Sequence, residues 1–212
     1  LLLVGMQDQL EAELDRIGKR DHPGLEIVDT DEVIGMGESA SASIRSKPTS
    51  SIAVAVDLVK KGRAGGVVSA GHTGAAVAST VLKLRPLPGI ERPAIATVFP
   101  SPAGPFLLLD AGANVDCKPK HLVQYAVMGE IYARKILSVE EPRIGLLNVG
   151  GEAGKGNDLS KQTYKELCDI PGLNFQGNIE GRDLFTDHAD VVVCDGFVGN
   201  IVLKSCESLA GA

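Results

Sequence analysis

The chain has 212 residues, of which 44% are hydrophobic and 23% charged, and its formal net charge is −6. This length and balance are typical of a soluble globular domain with a sizeable core, and the acidic charge argues against nucleic acid as a partner. No apolar run approaches the roughly 18 residues of a membrane-spanning helix. Four cysteines without paired spacing and four dispersed histidines predict a reduced, cytoplasmic protein with no metal site and no bound cofactor.

The first half of the chain alternates short apolar runs with helical patterns. Strands are predicted at residues 1–4, 25–28 and 66–69, and helices at 6–17, from Pro48 to Gly62, and at 73–84. The stretch GMGESASASIRSKPTSS, residues 35–51, is rich in small polar residues and is predicted to be irregular.

The second half continues the alternation. Strands are predicted at 94–99, 106–109, 144–149, 173–175 and 190–194, and helices from Pro119 to 137, at 159–169 and from Asn200 onward. The first two of these strands have hairpin-like spacing. Most of the strands are apolar on both faces, which predicts an α/β fold: a mostly parallel sheet with helices on both faces.

Four turns made of small residues follow predicted strands. They are SAGHTG (69–74), DAGAN (110–114), GGEAGKGN (150–157) and DGFVGN (195–200). Ligands bind at the carboxyl ends of the strands in a parallel sheet. We therefore predict that these turns converge on one edge and form a site.

The GGEAGKGN turn has the composition of an anion site. Its glycines permit close approach of the backbone, Lys155 adds a positive charge, and Asn157 or Asp158 can cap the following helix. Its spacing does not match a Walker loop, because only three residues separate Gly150 from Gly154 and Gly156 stands where Ser or Thr would bind Mg²⁺. We predict a site for phosphate rather than for ATP.

Three other patterns are weaker. Gly35–Ala40 matches a loose dinucleotide fingerprint, but Asp57 lies in a helical pattern instead of ending the next strand. Cys117 could be an acyl nucleophile or a small buried residue. His72 could be a general base, a hydrogen-bond donor or a bystander.

Longer segments around the turns resemble the PlsX family of bacterial phosphate acyltransferases. The matching segments are VSAGHTGA, LLLDAGANVDCKPKHLVQYAVMG, GLLNVGGEAGKGN, FQGNIEGRDLF and VVVCDGFVGNIVLK, and GESASASIRSKPTSS is similar to the family's polar loop. The resemblance implies an enzyme that converts acyl-[acyl carrier protein] and inorganic phosphate into acyl phosphate. That product feeds glycerol-3-phosphate acyltransferase in phospholipid synthesis.

The resemblance also implies an architecture. The fold would be similar to that of the isocitrate/isopropylmalate dehydrogenases and phosphotransacetylases, in a homodimer that associates peripherally with the membrane. Residues 1–212 would form a single α/β domain that lacks the opening strand and the C-terminal segment of the full-length protein.

Lys155 is assigned to neutralising the phosphate, with the backbone amides from Gly154 to Asn157 as donors. Asn200, predicted at the start of the last helix, and His72 are the other candidate catalytic residues. The predicted phosphate- or substrate-binding residues are Gly71, Thr73, Gly74, Asn114, Gly154, Gly156, Asn157, Asn178 and Asp195. The acyl carrier protein, typically acidic, would dock on positive charge, for which the candidates are Lys60, Lys61 and Arg63, or Arg134 and Lys135.

Two other classes of protein stay open. A β-decarboxylating NAD-dependent dehydrogenase would share the implied fold, but it needs a metal-binding set of aspartates and a nucleotide site that the sequence does not display. A non-catalytic regulator would bind phosphate or lipid without turnover.

Overall fold

The computed structural model describes residues 1–211, which divide into two compact units between Leu87 and Pro88. Each unit has its own helices and its own sheet. The expectation of a single domain over residues 1–212 stays a prediction, and Ala212 lies outside the described residues.

The first unit contains a pair of strands and four helices. In chain order these are β1 (Leu2–Gly5), α1 (Gln7–Arg16), β2 (Glu26–Asp29), α2 (Ala40–Ser46), α3 (Ser51–Lys60) and α4 (Thr73–Lys83). β1 and β2 pair in parallel, with Leu3 opposite Ile27. Ile34 is buried together with Ile44 of α2 and Ala75 of α4.

Glu38 organises the polar segment that precedes α2. Its Oε1 accepts hydrogen bonds from the Lys47 ammonium and the Gly35 amide, both at 2.7 Å, and its Oε2 accepts one from the Ser43 hydroxyl at 3.0 Å. The hydrogen bond from Lys47, followed by those from Gly35 and Ser43, lowers the pKa of Glu38 to about 2. The prediction that residues 35–51 are irregular is therefore wrong, because these contacts support the helix α2.

The second unit is built on a five-stranded sheet. Its elements are β3 (Ala96–Phe99), β4 (Phe106–Leu109), α5 (Pro119–Lys135), β5 (Ile144–Leu147), α6 (Asp158–Cys168), β6 (Phe175–Ile179), a 3₁₀ helix (Gly181–Asp183), β7 (Val191–Val193) and α7 (Gly196–Ala210). The strand order is β3-β4-β7-β5-β6. β3 and β4 form an antiparallel hairpin, and the other neighbours are parallel, which confirms the predicted mostly parallel α/β sheet.

Alternate side chains of the central strands enter two cores. Leu107 and Val191 pack with α5 and α6 on one face, whereas Leu108 and Val192 pack with α7 on the other. At the amino ends of β5 and β7, Arg143 binds the carboxylate of Asp190. The loops that carry the candidate site lie at the opposite edge, where these strands have their carboxyl ends.

Two strand predictions need correction. Residues 66–69 form no strand, and Val68 is fully exposed, because no neighbouring strand in residues 1–87 hydrogen-bonds to this segment. The turn 69–74 therefore does not extend a strand of either sheet. The strand predicted at 173–175 is displaced to β6, because Leu173 lies in the turn after Gly172, whose φ is 80°.

Candidate functional site

The loop from Asn148 to Asn157 follows β5 at the carboxyl edge of the second unit's sheet. The Lys155 amide donates a hydrogen bond to the Glu152 carbonyl at 3.0 Å, which closes a turn. Gly156 has a φ of 90°, and a Cβ at this position would collide with the Ser160 hydroxyl. Glycine is therefore required at Gly156 for both its backbone angle and its contacts.

Lys155 lies on the exposed side of this loop. Its aliphatic stem crosses Gly150, where a Cβ would lie 2.9 Å from Lys155 Cγ. Among residues 1–211, the Lys155 ammonium has no carboxylate within the 4.0 Å of an ion pair. Its charge is thus not neutralised by a described acidic side chain and can attract an anion.

Helix α6 begins directly after the loop. Asn157 is its N-cap, and the Oδ1 atom accepts a hydrogen bond from the Ser160 amide at 2.9 Å. The N-terminus of a helix carries partial positive charge and favours anions. The predicted order of strand, glycine-rich loop and helix N-terminus is therefore present at this edge.

Helix α7 begins four residues earlier than predicted. Asp195 caps it, with its Oδ1 accepting hydrogen bonds from the amides of Phe197 and Val198, both at 2.9 Å. Asn200 therefore lies in the second turn and does not open the helix. Helix α7 begins at Gly196 because the Asp195 carboxylate accepts hydrogen bonds from amides of the first turn that would otherwise lack partners.

The turn 110–114 lies against the start of α7. Asn114 accepts a hydrogen bond from the Gly196 amide at 2.8 Å through its backbone carbonyl. A Cβ built on Gly112 would lie 3.3 Å from Oδ1 of Asn200. Asn200 thus faces this turn, and a side chain at residue 112 would crowd it.

Asp110 holds the same turn from inside the protein and is fully buried. Its Oδ1 accepts hydrogen bonds from the amides of Ile95, Gly112 and Ala113 at 2.9, 3.2 and 2.9 Å. Its Oδ2 accepts two more from Asn114. A buried carboxylate with this many donors is satisfied internally and serves to shape the turn.

A cavity of about 630 Å³ opens between the N-terminal parts of α6 and α7. Its wall is largely apolar and includes Leu122, Leu146, Leu159, Val198 and Val202. Polar groups come from Asn148, Asn157, Ser160 and Asp195. The cavity therefore places an apolar surface next to two helix N-termini, an arrangement that suits a ligand with an anionic or polar head and an apolar part.

The described residues bring only part of the predicted set to this cavity. Gly156, Asn157 and Asp195 line it, and Gly154 and Lys155 belong to the adjoining loop. Asn178 contacts that loop from β6, where its Nδ2 donates to the Glu152 carbonyl at 2.8 Å. Asn200 lies beside Gly112 of the turn that contains Asn114, and neither asparagine lines the cavity.

Comparison with known proteins assigns the family. The family described as "Fatty acid synthesis protein" matches residues 1–212. The chain belongs to this family. The resemblance to the PlsX family seen in the sequence motifs is thereby confirmed.

Relatives within the family carry a consistent name. The chain is 51% identical over 210 residues to the phosphate acyltransferase of Desulforamulus reducens, covering 99% of this chain and 62% of the relative. It is 53% identical over 213 residues to the phosphate acyltransferase of Pelotomaculum thermopropionicum, covering 100% of this chain and 61% of that relative. The chain therefore spans about three fifths of the length of these relatives.

A solved structure supports the fold of this family member. A phosphotransacetylase from Streptococcus pyogenes aligns with a TM-score of 0.69 at 19% identity, covering 99% of this chain and 73% of the other. At that identity the comparison shows a shared fold. It agrees with the predicted similarity to phosphotransacetylases.

The family's SAGHTG segment lies in the first unit. His72 caps α4: its Nδ1 accepts from the Ala75 amide at 3.3 Å, and its Nε2 hydrogen donates to the Glu38 carbonyl at 3.0 Å. Both ring nitrogens are therefore engaged, and action as a general base would require breaking one of these bonds. Gly71, Thr73 and Gly74 are exposed around this cap.

Burial raises the thiol pKa of the two cysteines near the 110–114 turn, Cys117 and Cys194. Cys117 donates from its Sγ to the Asn114 carbonyl at 3.3 Å, and burial raises the pKa of its thiol. Burial also raises the pKa of Cys194 at the cavity. Because the thiolate is the nucleophile, this environment favours a packing role for Cys117 over the alternative of an acyl nucleophile.

Sequence reasoning missed three residues at the candidate site, namely Asp110, Asn148 and Ser160. Each adjoins a glycine-rich turn, and Asn148 and Asp110 directly follow the strands β5 and β4. A polar residue at the carboxyl end of a buried strand was the available signal.

The dinucleotide alternative fails, because Asp57 lies within α3 and pairs with Lys83.

No helix within residues 1–211 is long and apolar enough to cross a membrane. The same residues contain no group of three or more His, Cys, Asp or Glu side chains placed to hold a metal ion.

Proposed function

We propose that the full-length protein is a phosphate acyltransferase. It would transfer the acyl group of acyl-[acyl carrier protein] to inorganic phosphate, giving acyl phosphate and free carrier protein. The observation that carries this proposal is the Lys155 loop, which adjoins an apolar cavity between two helix N-termini. The name shared by relatives at about 50% identity supports it.

The proposed reaction needs positioning more than strong base catalysis. A phosphate oxygen attacks the thioester carbonyl, the C–S bond breaks through a tetrahedral intermediate, and the carrier's thiolate leaves and takes a proton from solvent. Inorganic phosphate is already an anion near neutral pH, so its oxygens do not need a strong base in order to attack. The enzyme must then hold the anion and stabilise the oxyanion.

Roles follow from the placement of the polar groups. Lys155 would neutralise the phosphate, while the amides of Gly154, Gly156 and Asn157 donate to its oxygens. Asn200, beside Gly112, would position the phosphate or the oxyanion. Lesser binding roles are proposed for Asn114, Asn178 and Asp195, and in the first unit for Gly71, His72, Thr73 and Gly74.

The wider setting is also proposed. The enzyme would act in the cytoplasm as a homodimer, associate peripherally with the membrane and pass acyl phosphate to a glycerol-3-phosphate acyltransferase. The fold of the full-length protein would also resemble that of the isocitrate/isopropylmalate dehydrogenases. Lys60 and Lys61 are proposed to contact the carrier protein, since Arg63 and Arg134 already pair with Glu26 and Glu130.

One assay separates this function from its rivals. The loss of acyl-carrier-protein thioester is followed with full-length protein, with and without phosphate. Phosphate-dependent loss with formation of acyl phosphate is expected. Binding without turnover would identify a regulator, and NADH production from a hydroxy acid would identify a dehydrogenase.

A further inference from the structure

The Glu152–Lys155 turn is exposed, and its own contacts do little to fix it. Residues 151–155 are all exposed, and a Cβ built on Gly151 or Gly154 would meet no atom within 4 Å. A loop of this kind is expected to be mobile unless other groups hold its backbone. The position of the Lys155 ammonium therefore depends on contacts from outside the turn.

Two carboxamides supply those contacts. Asn148 donates through its Nδ2 to the Lys155 carbonyl at 3.1 Å, and Asn178 donates through its Nδ2 to the Glu152 carbonyl at 2.8 Å. The two ends of the turn are thus each held by one side chain. The hydrogen bond between the Lys155 amide and the Glu152 carbonyl joins the same two residues.

Both carboxamides are anchored in the sheet. Asn178 lies in β6 opposite Leu146 of β5, and the Asn148 amide continues the ladder by donating to the Ile179 carbonyl at 2.8 Å. Asn148 is also oriented by its Oδ1, which accepts from the Val149 amide at 2.8 Å. The strands β5 and β6 therefore fix the positions of the two side chains that hold the loop.

Burial and packing indicate that these contacts are specific. Asn178 is 8% exposed, and its Oδ1 has no hydrogen-bond partner within residues 1–211. A buried amide with an unsatisfied oxygen is unfavourable in a core, so its bond to the loop is the contact that an apolar residue could not replace. A Cβ on Gly156 would collide with the Asn148 carboxamide, which shows how closely the loop packs on it.

We propose that Asn148 and Asn178 are positioning residues that clamp the Glu152–Lys155 turn and thereby set the Lys155 ammonium for phosphate. This gives Asn178 a role that acts through the loop, in addition to the lesser binding role proposed above. The purpose of the clamp rests on the proposed function, whereas the clamp itself can be measured without turnover.

The test uses full-length protein with Asn178→Asp and Asn148→Asp. Each change keeps the size and the Oδ1 acceptor but replaces the donor to the loop carbonyl with a carboxylate oxygen. The matched control is Gln176→Leu, which removes an exposed carboxamide from the same strand. Thermal unfolding of each variant establishes that it is folded.

The first readout is hydrogen exchange at the Lys155 amide. Either aspartate variant should exchange about tenfold faster at this amide than the wild type, the size expected for loss of one hydrogen bond. The Gln176→Leu control should match the wild type. Unchanged exchange in both aspartate variants would overturn the clamp.

The second readout is steady-state kinetics with phosphate as the varied substrate. We expect the KM for phosphate to rise about tenfold with a smaller change in kcat, because the displaced ammonium weakens anion binding. Faster exchange with an unchanged KM would overturn the positioning role. If the aspartate variants exchange faster but the wild type shows no phosphate-dependent turnover, the clamp is supported and the proposed function is rejected.

Discussion

Asn114 donates two hydrogen bonds to one oxygen of the buried Asp110, from its backbone amide at 2.8 Å and from its side-chain amide at 2.9 Å. Asn114 in turn accepts a hydrogen bond from Gly196 at the start of α7. A buried carboxylate that directly follows β4 thus shapes the turn against which Asn200 lies.

Replacement of Asp110 by Asn should be strongly destabilising. The new amide group would face the two Asn114 donors, and the charge-assisted bonds would be lost. We expect the free energy of unfolding to fall by about 3 kcal/mol. Urea denaturation measures it, with Asp116→Asn as the exposed control, which should change it by less than about 0.5 kcal/mol. Equal effects of the two variants would contradict the role of Asp110.

Lys155→Ala should abolish activity without loss of structure. Because its ammonium is exposed and has no acidic partner in residues 1–211, the free energy of unfolding should change by less than about 0.5 kcal/mol. Phosphate-dependent thioester loss should fall by about 100-fold or more, as expected for removal of a charge that stabilises the reacting anion. Lys161→Ala, an exposed change on α6, is the matched control. Retained activity in Lys155→Ala would reject the assignment.

Glu38 should make the first unit sensitive to acid. Its pKa in the folded protein is about 2, below the ordinary 4.5, so the native state binds this proton less readily than the unfolded state. The resulting stabilisation is present above about 4.5 and is lost as the pH falls towards 2. Glu38→Gln should therefore be less stable than the wild type at neutral pH, and the difference should close on acidification. Urea midpoints measured between pH 7 and pH 3 test this, and a pH-independent difference would count against it.

Cys117 should be dispensable for acyl transfer. Burial raises the pKa of its thiol, so the nucleophilic thiolate is scarce near neutral pH. Iodoacetamide should label Cys117 more slowly than the exposed Cys168, as read by mass spectrometry of the peptides. Cys117→Ala should retain phosphate-dependent thioester loss. Rapid labelling together with an inactive Ala variant would restore Cys117 as a candidate nucleophile.

Local patterns predicted the elements of the second unit well. The apolar runs correspond to β4, β5 and β7, because strands buried on both faces have a continuous apolar sequence. The helical spacing after Pro119 corresponds to α5. Predictions failed where partners decide the structure. The segment 66–69 is as apolar as a strand but has no neighbour in residues 1–87, and the polar segment 35–51 forms α2 through its contacts with Glu38.

By itself, the sequence determined the glycine-rich loop at residues 150–157 and the helix that follows it, since glycine, lysine and a helix cap are recognisable within one short segment. Only the tertiary structure decided what holds that loop and what faces Asn200. Asn148, Asn178 and Asp110 reach their partners through strand pairing and burial, and such contacts depend on which strands become neighbours. β7 lies between β4 and β5 although it follows both in the chain, an order that equally apolar strands do not encode locally.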